Sequence, residues 1–308
     1  MKVLVTGGAG FIASHIVDAY VARGHQVTVV DDLSSGRREN VNPKAELIVA
    51  DLREGKTIGA LRGRQFDIVN HHAAQIDVRV SVADPAADAE LNIVATLRLF
   101  ESMRSEGVRK IIFASSGGAT YGEPLYAPQD ENHPTRPVSP YGCAKLAIDQ
   151  YLYFYRTTHG LKSVSLRYGN VYGPRQRKDG EAGVIAIFAG AMLDGQTPGI
   201  NGDGKQTRDY VYVHDVVRAN MAASERDLEG IYNVGTGVET SVNELYDELR
   251  RAIVFGGDAA HGPAKPGEQM RSVLDATKVR TAGGLPPFVT LRDGIAETVA
   301  WLRDSTRQ

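Results

Sequence analysis

The sequence is nearly free of cysteine and carries almost no net charge, and both features narrow what the protein can be. Cys143 is the single cysteine among 308 residues, so no intramolecular disulfide can form and a reducing, cytoplasmic compartment is expected. The formal net charge of −2 offers no attraction for nucleic acid or for an anionic membrane. No apolar run approaches the length of a transmembrane helix. These absences predict a soluble globular protein.

Short β-branched runs alternate with longer stretches of helical periodicity through the first half of the chain. The predicted strands are KVLVT, QVTVVD, AELIVA, FDIVNH, KIIFAS and SVSLRY. Apolar strands of this length, separated by helices, are typical of a buried parallel sheet. We therefore predict an α/β fold with a Rossmann-type, doubly wound parallel sheet. The opening MKVLVTGGAGFIASHI is expected to form a first strand and turn, not a signal peptide.

The amino-acid composition of the sequence changes after residue 169. Stretches such as LDGQTPGINGDGKQTRD are rich in glycine, proline and charge, as loops are. We predict a dinucleotide-binding domain over residues 1–169, to which the chain returns at about 210–237. Residues 170–308 are expected to form a smaller, loop-rich lobe. A cleft between the two is the expected ligand site.

A glycine-rich turn follows the first predicted strand and opens the first predicted helix. In VTGGAGFIASHIV, Gly7 and Gly10 occur where a tight turn lets backbone amides approach a pyrophosphate at a helix N-terminus. The third small position of this pattern is Ala13, which can serve close packing of helix on sheet. Phe11 and Ile12 open the helix and are assigned to the same site. This context favours dinucleotide binding over a purely structural turn.

Residues after the second and third strands point to the adenosine half of the dinucleotide. Asp31 ends the second strand, where a carboxylate can accept hydrogen bonds from ribose hydroxyls. The neighbouring Asp32 is assigned to the same site. Asp51 and Leu52 follow the third strand and are expected to flank the adenine.

The charge at Asp31 also selects between the two nicotinamide cofactors. A carboxylate repels the 2′-phosphate of NADP, so NAD is the predicted cofactor. Arg37 and Arg38 follow in the same loop and could hold such a phosphate. Solvated loop charge is the favoured interpretation of these two arginines. No metal site is predicted.

The segment SPYGCAKLAIDQYLYFY, residues 139–155, places Tyr141 and Lys145 one turn apart on one face of a predicted helix. A free phenol has a pKa of about 10 and is a poor base at neutral pH. A neighbouring ammonium favours the phenolate, as does the positive nicotinamide of an oxidised cofactor. Tyr141 is therefore expected to take a proton from a sugar hydroxyl while hydride leaves the same carbon. Lys145 is also expected to bind the nicotinamide ribose.

Hydroxyl groups end the fifth predicted strand, in FASSGGATYGEP. Ser116 is the first candidate to bind the substrate hydroxyl and pass its proton to Tyr141. Ser115 is the second candidate for this relay and is also expected to border the cofactor. Strand-end serines are common turn residues, so a structural role is the alternative.

Taken together, these motifs resemble the extended short-chain dehydrogenases/reductases, and among them the UDP-glucose 4-epimerases. The segments that carry the resemblance are TGGAGFI, HHAAQ, NIVAT, SSGGATYGE, SPYGCAK, LRYGNVYGPRQ and GDGKQTRDYVYVHDVV. They extend from residue 1 to about 217, and KPGEQMRSVLDATK extends the match to 278.

The resemblance implies further site residues. Those expected to line the cofactor are Ala73, Ala74, Asn92 and Tyr168. Those expected to hold the nucleotide sugar or its diphosphate are Asn170, Arg208, Lys265, Glu268 and Arg271. Relatives often carry arginine at position 265; lysine keeps the charge but lacks the bidentate fork, and Arg271 is expected to compensate.

The resemblance also implies the reaction. Tyr141 takes the proton of the 4-hydroxyl through Ser116, and hydride passes from C4 to NAD, which leaves a 4-keto sugar. The keto sugar turns over while UDP stays anchored, and hydride and proton return to the opposite face. Ser272 is aligned where some epimerases have a bulky tyrosine. A small residue there predicts turnover of UDP-N-acetylglucosamine as well as UDP-glucose.

Four other functions remain open on sequence grounds. A dehydratase would need a further acid/base group, and the Ser-Ser-Gly-Gly strand end has none, although Glu123 is nearby. A glucuronate epimerase would need a cation for the sugar carboxylate, for which Arg175 or Arg177 could serve. A dehydrogenase that releases its reduced cofactor, or a non-catalytic NAD-binding regulator, could keep the same fold.

Two helices are expected to form a homodimer contact, by resemblance to relatives that dimerise through a four-helix bundle. They lie at about residues 86–105 and 141–157. Tyr151, Tyr153 and Phe154 cannot all face one core from a single helix stripe, which agrees with a second apolar contact on the later helix.

Overall fold

Apolar, β-branched segments form strands where the sequence predicts them. The computed structural model describes residues 1–178, 183–264 and 269–305. Within these residues the strands are β1 Lys2–Thr6, β2 Gln26–Asp31, β3 Glu46–Val49, β4 Ile68–His71, β5 Lys110–Ser116, β6 Lys162–Tyr168, β7 Asn170–Tyr172, β8 Gly199–Asn201, β9 Thr207–Arg208, β10 Tyr210–Tyr212, β11 Gly230–Val234, β12 Thr240–Ser241 and β13 Ala260–Gly262. The six strands predicted in the first half correspond to β1 to β6.

A seven-stranded parallel sheet has the order β11-β6-β5-β4-β1-β2-β3. The chain runs outward from β1 in one direction and from β4 in the other, so the strand order reverses between these two neighbours. At such a switch point the loops after the strands diverge and leave a crevice at their carboxyl ends. The predicted Rossmann-type α/β fold is confirmed, and the crevice is the expected place for a ligand.

Helices cover both faces of the sheet. They are α1 Phe11–Ala22, α2 Gly55–Leu61, α3 Val78–Ala83, α4 Pro85–Ala89, α5 Thr96–Ser105, α6 Gly117–Thr120, α7 Pro140–His159, α8 Val184–Leu193, α9 Val213–Glu225, α10 Val242–Ile253, α11 Thr277–Gly283 and α12 Leu291–Ser305. A 3-10 turn spans Arg38–Asn40, and a wide π turn over Glu90–Ala95 joins α4 to α5. The sequence predicts one continuous helix over residues 88–107, and the π turn interrupts it.

The sheet has a hydrophobic core on each face, which explains the continuous apolar runs. On β1, Val3 and Val5 pack with α1 and α9, whereas Leu4 points to the opposite core with α5 and α7. All three side chains are fully buried, and burying one such side chain contributes about 1.5–3 kcal/mol. The candidate site therefore lies at the carboxyl ends of the strands, outside these two cores.

A third core belongs to the later part of the chain. Helices α8, α10 and α12 pack there with β7 and β10, which pair with each other in parallel. Strand β11 returns to the main sheet beside β6. The boundary between lobes at residue 169 stays a prediction. Among the described residues, no helix is both long and apolar enough to cross a bilayer.

Candidate active site

The turn after β1 packs directly on the segment after β4. Gly7 has a φ of +70°, and a Cβ at this position would lie 2.7 Å from the backbone N of Ala73. Only glycine fits such a left-handed, closely approached position. Gly10 precedes α1 with no side-chain cap and no acidic residue in the first turn. The first amides of α1 are therefore left for another acceptor, as in a phosphate-binding turn.

A cleft opens at the carboxyl ends of β1, β2, β4, β5 and β6. Its lining contains almost the whole predicted cofactor set: Gly7, Gly10, Phe11, Ile12, Asp31, Asp32, Asp51, Leu52, Ala73, Ala74, Ser115, Tyr141, Lys145 and Tyr168. The glycine turn, the strand-end carboxylates and the Tyr–Lys pair thus share one cleft. This lining fits an extended dinucleotide.

Asp31 is held in place by the backbone. Its Oδ2 accepts from the N–H of Ala9 at 2.9 Å and its Oδ1 from that of Leu33 at 2.9 Å. Burial raises the pKa of Asp31, and these two hydrogen bonds oppose the rise. The remaining lone pairs can accept from ribose hydroxyls. Arg37 and Arg38 are exposed, which agrees with their interpretation as solvated charge.

Asn92 does not belong to the lining and acts behind it. Its Oδ1 accepts from the backbone N–H of Gln75 at 3.0 Å, and its Nδ2 donates to the Gln75 carbonyl at 2.9 Å. Its Nδ2 also donates to Asp88 at 2.9 Å. Asn92 thus supports the loop after β4, and its direct contact with the cofactor stays a prediction.

The Tyr–Lys pair lies on the first turns of α7. Pro140 occupies the first turn, and the Ser139 side chain caps the helix by accepting from the N–H of Gly142 at 3.1 Å. Lys145 Nζ lies 5.6 Å from the centroid of the Tyr141 ring and donates to the carbonyl of Ala114 at 2.9 Å. Both side chains face the cleft.

Burial dominates the ionisation of both groups. It raises the pKa of Tyr141 to about 12, although the Ser116 hydrogen bond acts in the opposite direction. It lowers the pKa of Lys145 to about 8, opposed by the charges of Asp149 and Asp88. In the protein without bound cofactor, burial is thus the main influence on both groups, and it does not favour the phenolate. That Lys145 and the positive nicotinamide together favour the phenolate stays a prediction.

Replacing Lys145 with methionine is expected to raise the free energy of unfolding at pH 7. This stabilisation relative to the parent should become smaller as the pH rises. Below about pH 8 the lysine is charged in both states, and the folded protein carries the full cost of burying it. Between about pH 8 and 10.5 only the unfolded chain keeps the proton, so the stability of the parent rises relative to the variant. At about 1.4 kcal/mol per pKa unit, the difference in free energy of unfolding between the variant and the parent should shrink by about 3 kcal/mol over this pH range. Denaturant unfolding of both proteins at pH 7 and pH 10.5 measures this difference. A difference that does not change with pH contradicts the prediction.

The two serines at the end of β5 have different surroundings. The Ser116 side chain lies near enough to Tyr141 to lower the pKa of its phenol, and it accepts from the N–H of Ala119 at 3.2 Å. Ser115 lines the cleft, and its Oγ is buried without a hydrogen-bond partner among the described residues. This arrangement favours Ser116 for the relay and Ser115 for the cofactor.

Two residues assigned to the sugar side, Asn170 and Ser272, converge on Gly118, two residues after Ser116. A Cβ at Gly118 would lie 3.8 Å from Asn170 Oδ1 and 3.9 Å from Ser272 Oγ. Ser272 is nevertheless fully buried. It therefore does not itself border open space, contrary to the expectation that it leaves room for an acetamido group. Any such room has to come from movement of the neighbouring backbone.

The predicted diphosphate ligands are only partly described. Lys265 and Glu268 lie outside the described residues. Arg271 donates from Nε and Nη2 to Glu239 at 2.9 and 2.8 Å, and Arg208 Nη1 donates to the carbonyl of Thr207 at 2.8 Å. A diphosphate that binds Arg271 must therefore share this arginine with Glu239 or displace the carboxylate.

Charged groups that could favour other reactions are engaged elsewhere. Arg175 donates to Asp18 on α1 at 2.7 Å, and Arg177 donates to the carbonyl of Ser35 at 3.4 Å. Both guanidinium groups thus contact the first βαβ unit. The Glu123 carboxylate accepts from the backbone N–H groups of Met270 and Arg271. It ties two loops together, which argues against a role as the extra acid of a dehydratase.

Sequence reasoning missed His72, the second histidine of HHAAQ. Its ring lines the cleft, and its Nε2 lies 3.1 Å from the Tyr168 hydroxyl. That hydroxyl also accepts from Asn220 Nδ2 at 2.9 Å. Burial lowers the pKa of His72 to about 3, so the ring is neutral. Its place directly after β4 was the available signal.

A buried ion pair between α7 and β6 was also missed. Asp149, one turn after Lys145, accepts from Arg167 on β6 at 2.9 Å and from Ser165 at 2.5 Å. Arg167 stacks on Tyr121 with 4.7 Å between its guanidinium carbon and the ring centroid. The charged residue inside the apolar strand SVSLRY was the signal, since a buried charge requires a partner.

A Rossmann-type sheet with a cofactor cleft of this design defines an NAD-binding enzyme of the short-chain dehydrogenase/reductase type. The model of the NAD dependent epimerase/dehydratase family matches residues 3–235. The chain belongs to this family, and NAD is its cofactor. The resemblance inferred from the sequence motifs is confirmed.

Solved structures of similar chains agree with this assignment. UDP-glucose 4-epimerase of Thermotoga maritima, solved with UDP-glucose, is 44% identical over 99% of this chain and 100% of its own, with a TM-score of 0.97. UDP-glucose 4-epimerase of Thermus thermophilus, solved with NAD, is 46% identical over 98% and 99%, with a TM-score of 0.92. UDP-N-acetylglucosamine 4-epimerase of Methanobrevibacter ruminantium, solved with UDP-N-acetylmuramic acid, is 36% identical over 99% and 98%, with a TM-score of 0.93.

Proposed function

We propose that the protein is a UDP-hexose 4-epimerase that interconverts UDP-glucose and UDP-galactose through a transient 4-keto sugar. The observation that carries the proposal is that Tyr141 and Lys145 share the cleft with the end of β5, where Ser116 lies near enough to lower the pKa of Tyr141 and no carboxylate is present. This pair can move one proton to or from a hydroxyl, but it offers no second acid for elimination. Similarity to UDP-glucose 4-epimerases over nearly the full chain supports the same reaction.

The protein's own groups handle the proton and hold the substrate. Ser116 binds the 4-hydroxyl, and Tyr141 takes its proton and later returns it. Lys145 holds the ribose of the cofactor and adds positive charge beside the phenol. When bound in the cleft, NAD would supply a reversible hydride acceptor for C4, with no net use of cofactor. Inversion follows because proton and hydride return to a sugar that has turned over.

The substrate lobe has to hold the nucleotide firmly and the hexose loosely. Arg208 and Arg271 are the described cations assigned to the diphosphate, with Lys265 as a further proposed ligand. Asn170, beside Gly118, is assigned to the sugar. Fixed contacts at the diphosphate and few contacts at the hexose permit the keto sugar to rotate without leaving.

Turnover of the N-acetylhexosamine pair is a further part of the proposal. The small residues Gly118 and Ser272 lie on the sugar side of Ser116, and small side chains there favour a bulky 2-substituent. The 36% identity to a UDP-N-acetylglucosamine 4-epimerase supports this extension. The buried position of Ser272 means that the surrounding backbone must adjust.

Incubation with UDP-glucose, UDP-N-acetylglucosamine and UDP-glucuronate, without added cofactor, tests the proposal. We expect each of the first two to give its C4 epimer at comparable kcat/KM, and UDP-glucuronate to give little, because Arg175 pairs with Asp18. Products are separated and quantified by chromatography. No UDP-galactose from the NAD-loaded protein contradicts the 4-epimerase, and absent N-acetyl turnover contradicts the extension alone.

A homodimer through α4, α5 and α7 is also proposed. On α7, Tyr151, Tyr153 and Phe154 are 42%, 58% and 41% exposed, while the opposite stripe with Ile148 and Leu152 is buried. A second copy covering these rings would remove an apolar patch from water. A monomeric mass in solution contradicts this dimer.

The cytoplasmic location stays a prediction from the cysteine content.

A further inference from the structure

A short segment of the later chain reaches back to the first βαβ unit. Residues 174–177, called the return segment here, follow β7. His15 Nε2 on α1 donates to the carbonyl of Pro174 at 2.9 Å. Arg175 Nη2 donates to Asp18 Oδ2 at 2.7 Å, and Arg177 Nη1 contacts the carbonyl of Ser35 at 3.4 Å. The return segment is thus attached to both α1 and the loop after β2.

Asp18 connects these parts through its two oxygens. Its Oδ2 accepts from Arg175, and its Oδ1 accepts from Asn42 Nδ2 at 2.7 Å. Asn42 belongs to residues 33–42, called the adenosine loop here because it follows Asp31 and Asp32. One carboxylate therefore holds the return segment and the adenosine loop together. The side chains of Arg175 and Asp18 are 26% and 33% exposed, so the pair is partly shielded from water.

The adenosine loop forms one wall of the cofactor cleft. Ser34 and Ser35 line the cleft beside Asp31. Further along the loop, the N–H of Arg37 and the Nδ2 of Asn40 both donate to the carbonyl of Ala9, at 3.0 and 3.1 Å. The loop is therefore closed over the glycine turn. A dinucleotide seated on that turn cannot withdraw its adenosine half unless this loop moves.

Arg175 is held in an uncommon backbone conformation. Its φ is +69°, a left-handed value that is unfavourable for a long side chain and persists only where surrounding contacts enforce it. Its Nη1 is buried without a hydrogen-bond partner among the described residues. The backbone is thus fixed in a form that aims the guanidinium at α1. The ion pair with Asp18 is the contact that this form makes.

We infer that Arg175 and Asp18 form a clasp that retains the adenosine half of NAD by locking the adenosine loop closed. Opening of the loop pulls Asn42 away from Asp18 and exposes the Arg175 pair to water. The clasp acts on the release of the cofactor and touches no reacting atom, so both residues are positioning residues. The inference rests on NAD as the cofactor, and not on which sugar the enzyme converts.

Two variants break the clasp from opposite sides. Asp18→Asn keeps the shape and removes the charge. Arg175→Asn removes the guanidinium, and asparagine tolerates a left-handed backbone, so this change adds no strain. In the holoenzyme, release of bound NAD into an excess of isotopically labelled NAD is followed by mass spectrometry. Each variant is expected to release NAD about tenfold faster, which corresponds to about 1.4 kcal/mol. Melting temperatures check folding, and kcat at saturating NAD should stay within about twofold of the parent.

Glu225→Gln is the matched control. Glu225 pairs at 2.7 Å with Arg23, the residue that follows α1, so this variant removes an ion pair next to the same helix but outside the cleft lining. Its NAD release should equal that of the parent. The double variant Asp18→Asn, Arg175→Asn should release NAD no faster than either single variant, because both act through one contact. Parent-like release in both folded single variants, or additive effects in the double variant, overturns the clasp. Loss of epimerase activity with unchanged NAD release would instead count against the proposed reaction.

Discussion

Replacing Tyr141 with phenylalanine is expected to lower kcat for the epimerisation of UDP-glucose about 1000-fold. General acid–base catalysis by a positioned side chain typically contributes 10²- to 10⁴-fold, and the Tyr141 side chain lines the cleft together with Lys145 and Ser115. KM should change little, because the ring and its packing remain. The measurement is a progress curve at saturating UDP-glucose with NAD occupancy checked by absorbance.

A neighbouring tyrosine on the same helix gives a control for this experiment. Tyr153 is 58% exposed and its ring lies 5.6 Å from the Arg156 guanidinium carbon, a contact that phenylalanine keeps. Tyr153→Phe should retain kcat within about twofold. Near-normal turnover in Tyr141→Phe would end the assignment of Tyr141 as the acid/base.

Replacing Gly7 with alanine is expected to weaken NAD binding about 100-fold. The added Cβ would lie 2.7 Å from the backbone N of Ala73, and the residue has a φ of +70°. The left-handed backbone alone costs about 1–2 kcal/mol, and a shifted turn weakens hydrogen bonds to the pyrophosphate, each worth about 1.5–3 kcal/mol. Protein purified without added cofactor should therefore carry much less NAD than the parent. Titration calorimetry with NAD measures the change in affinity.

Gly24 separates the effect of backbone strain from that of close approach. It has a φ of +75°, at the end of α1, and nothing lies within 4 Å of an added Cβ. Gly24→Ala should lose about as much stability from its left-handed backbone as Gly7→Ala does, and it should keep the parent's affinity for NAD. Equal NAD binding by Gly7→Ala and the parent would show that the turn does not contact the cofactor.

The parts of the site that could be predicted from the sequence are those fixed by local geometry. Gly7 and Gly10 are specified by one turn between a strand and a helix. Tyr141 and Lys145 share a face because of helical spacing, and Asp31 is placed by the end of its strand. Parallel strands then bring their carboxyl ends to one edge, so these residues converge whatever the rest of the chain does.

The parts that could not be predicted depend on contacts between distant segments. Asn92 supports Gln75 from behind the cleft, and Ser272 is buried against the turn after β5, because loops from different parts of the chain meet there. Arg271 is occupied by Glu239, which no local pattern indicates. Burial raises the pKa of Tyr141 to about 12, and that burial depends on the segments that pack around the helix.

The ion pair between Asp149 and Arg167 has a consequence for building chimaeras from related enzymes. The carboxylate belongs to the helix that carries Tyr141, whereas the guanidinium belongs to β6, and both are almost inaccessible to water. Stranding either charge alone costs about 3–5 kcal/mol, a large part of what keeps a domain folded. A chimaera that receives this helix from the present protein should therefore also receive β6, so that both charges are transferred together.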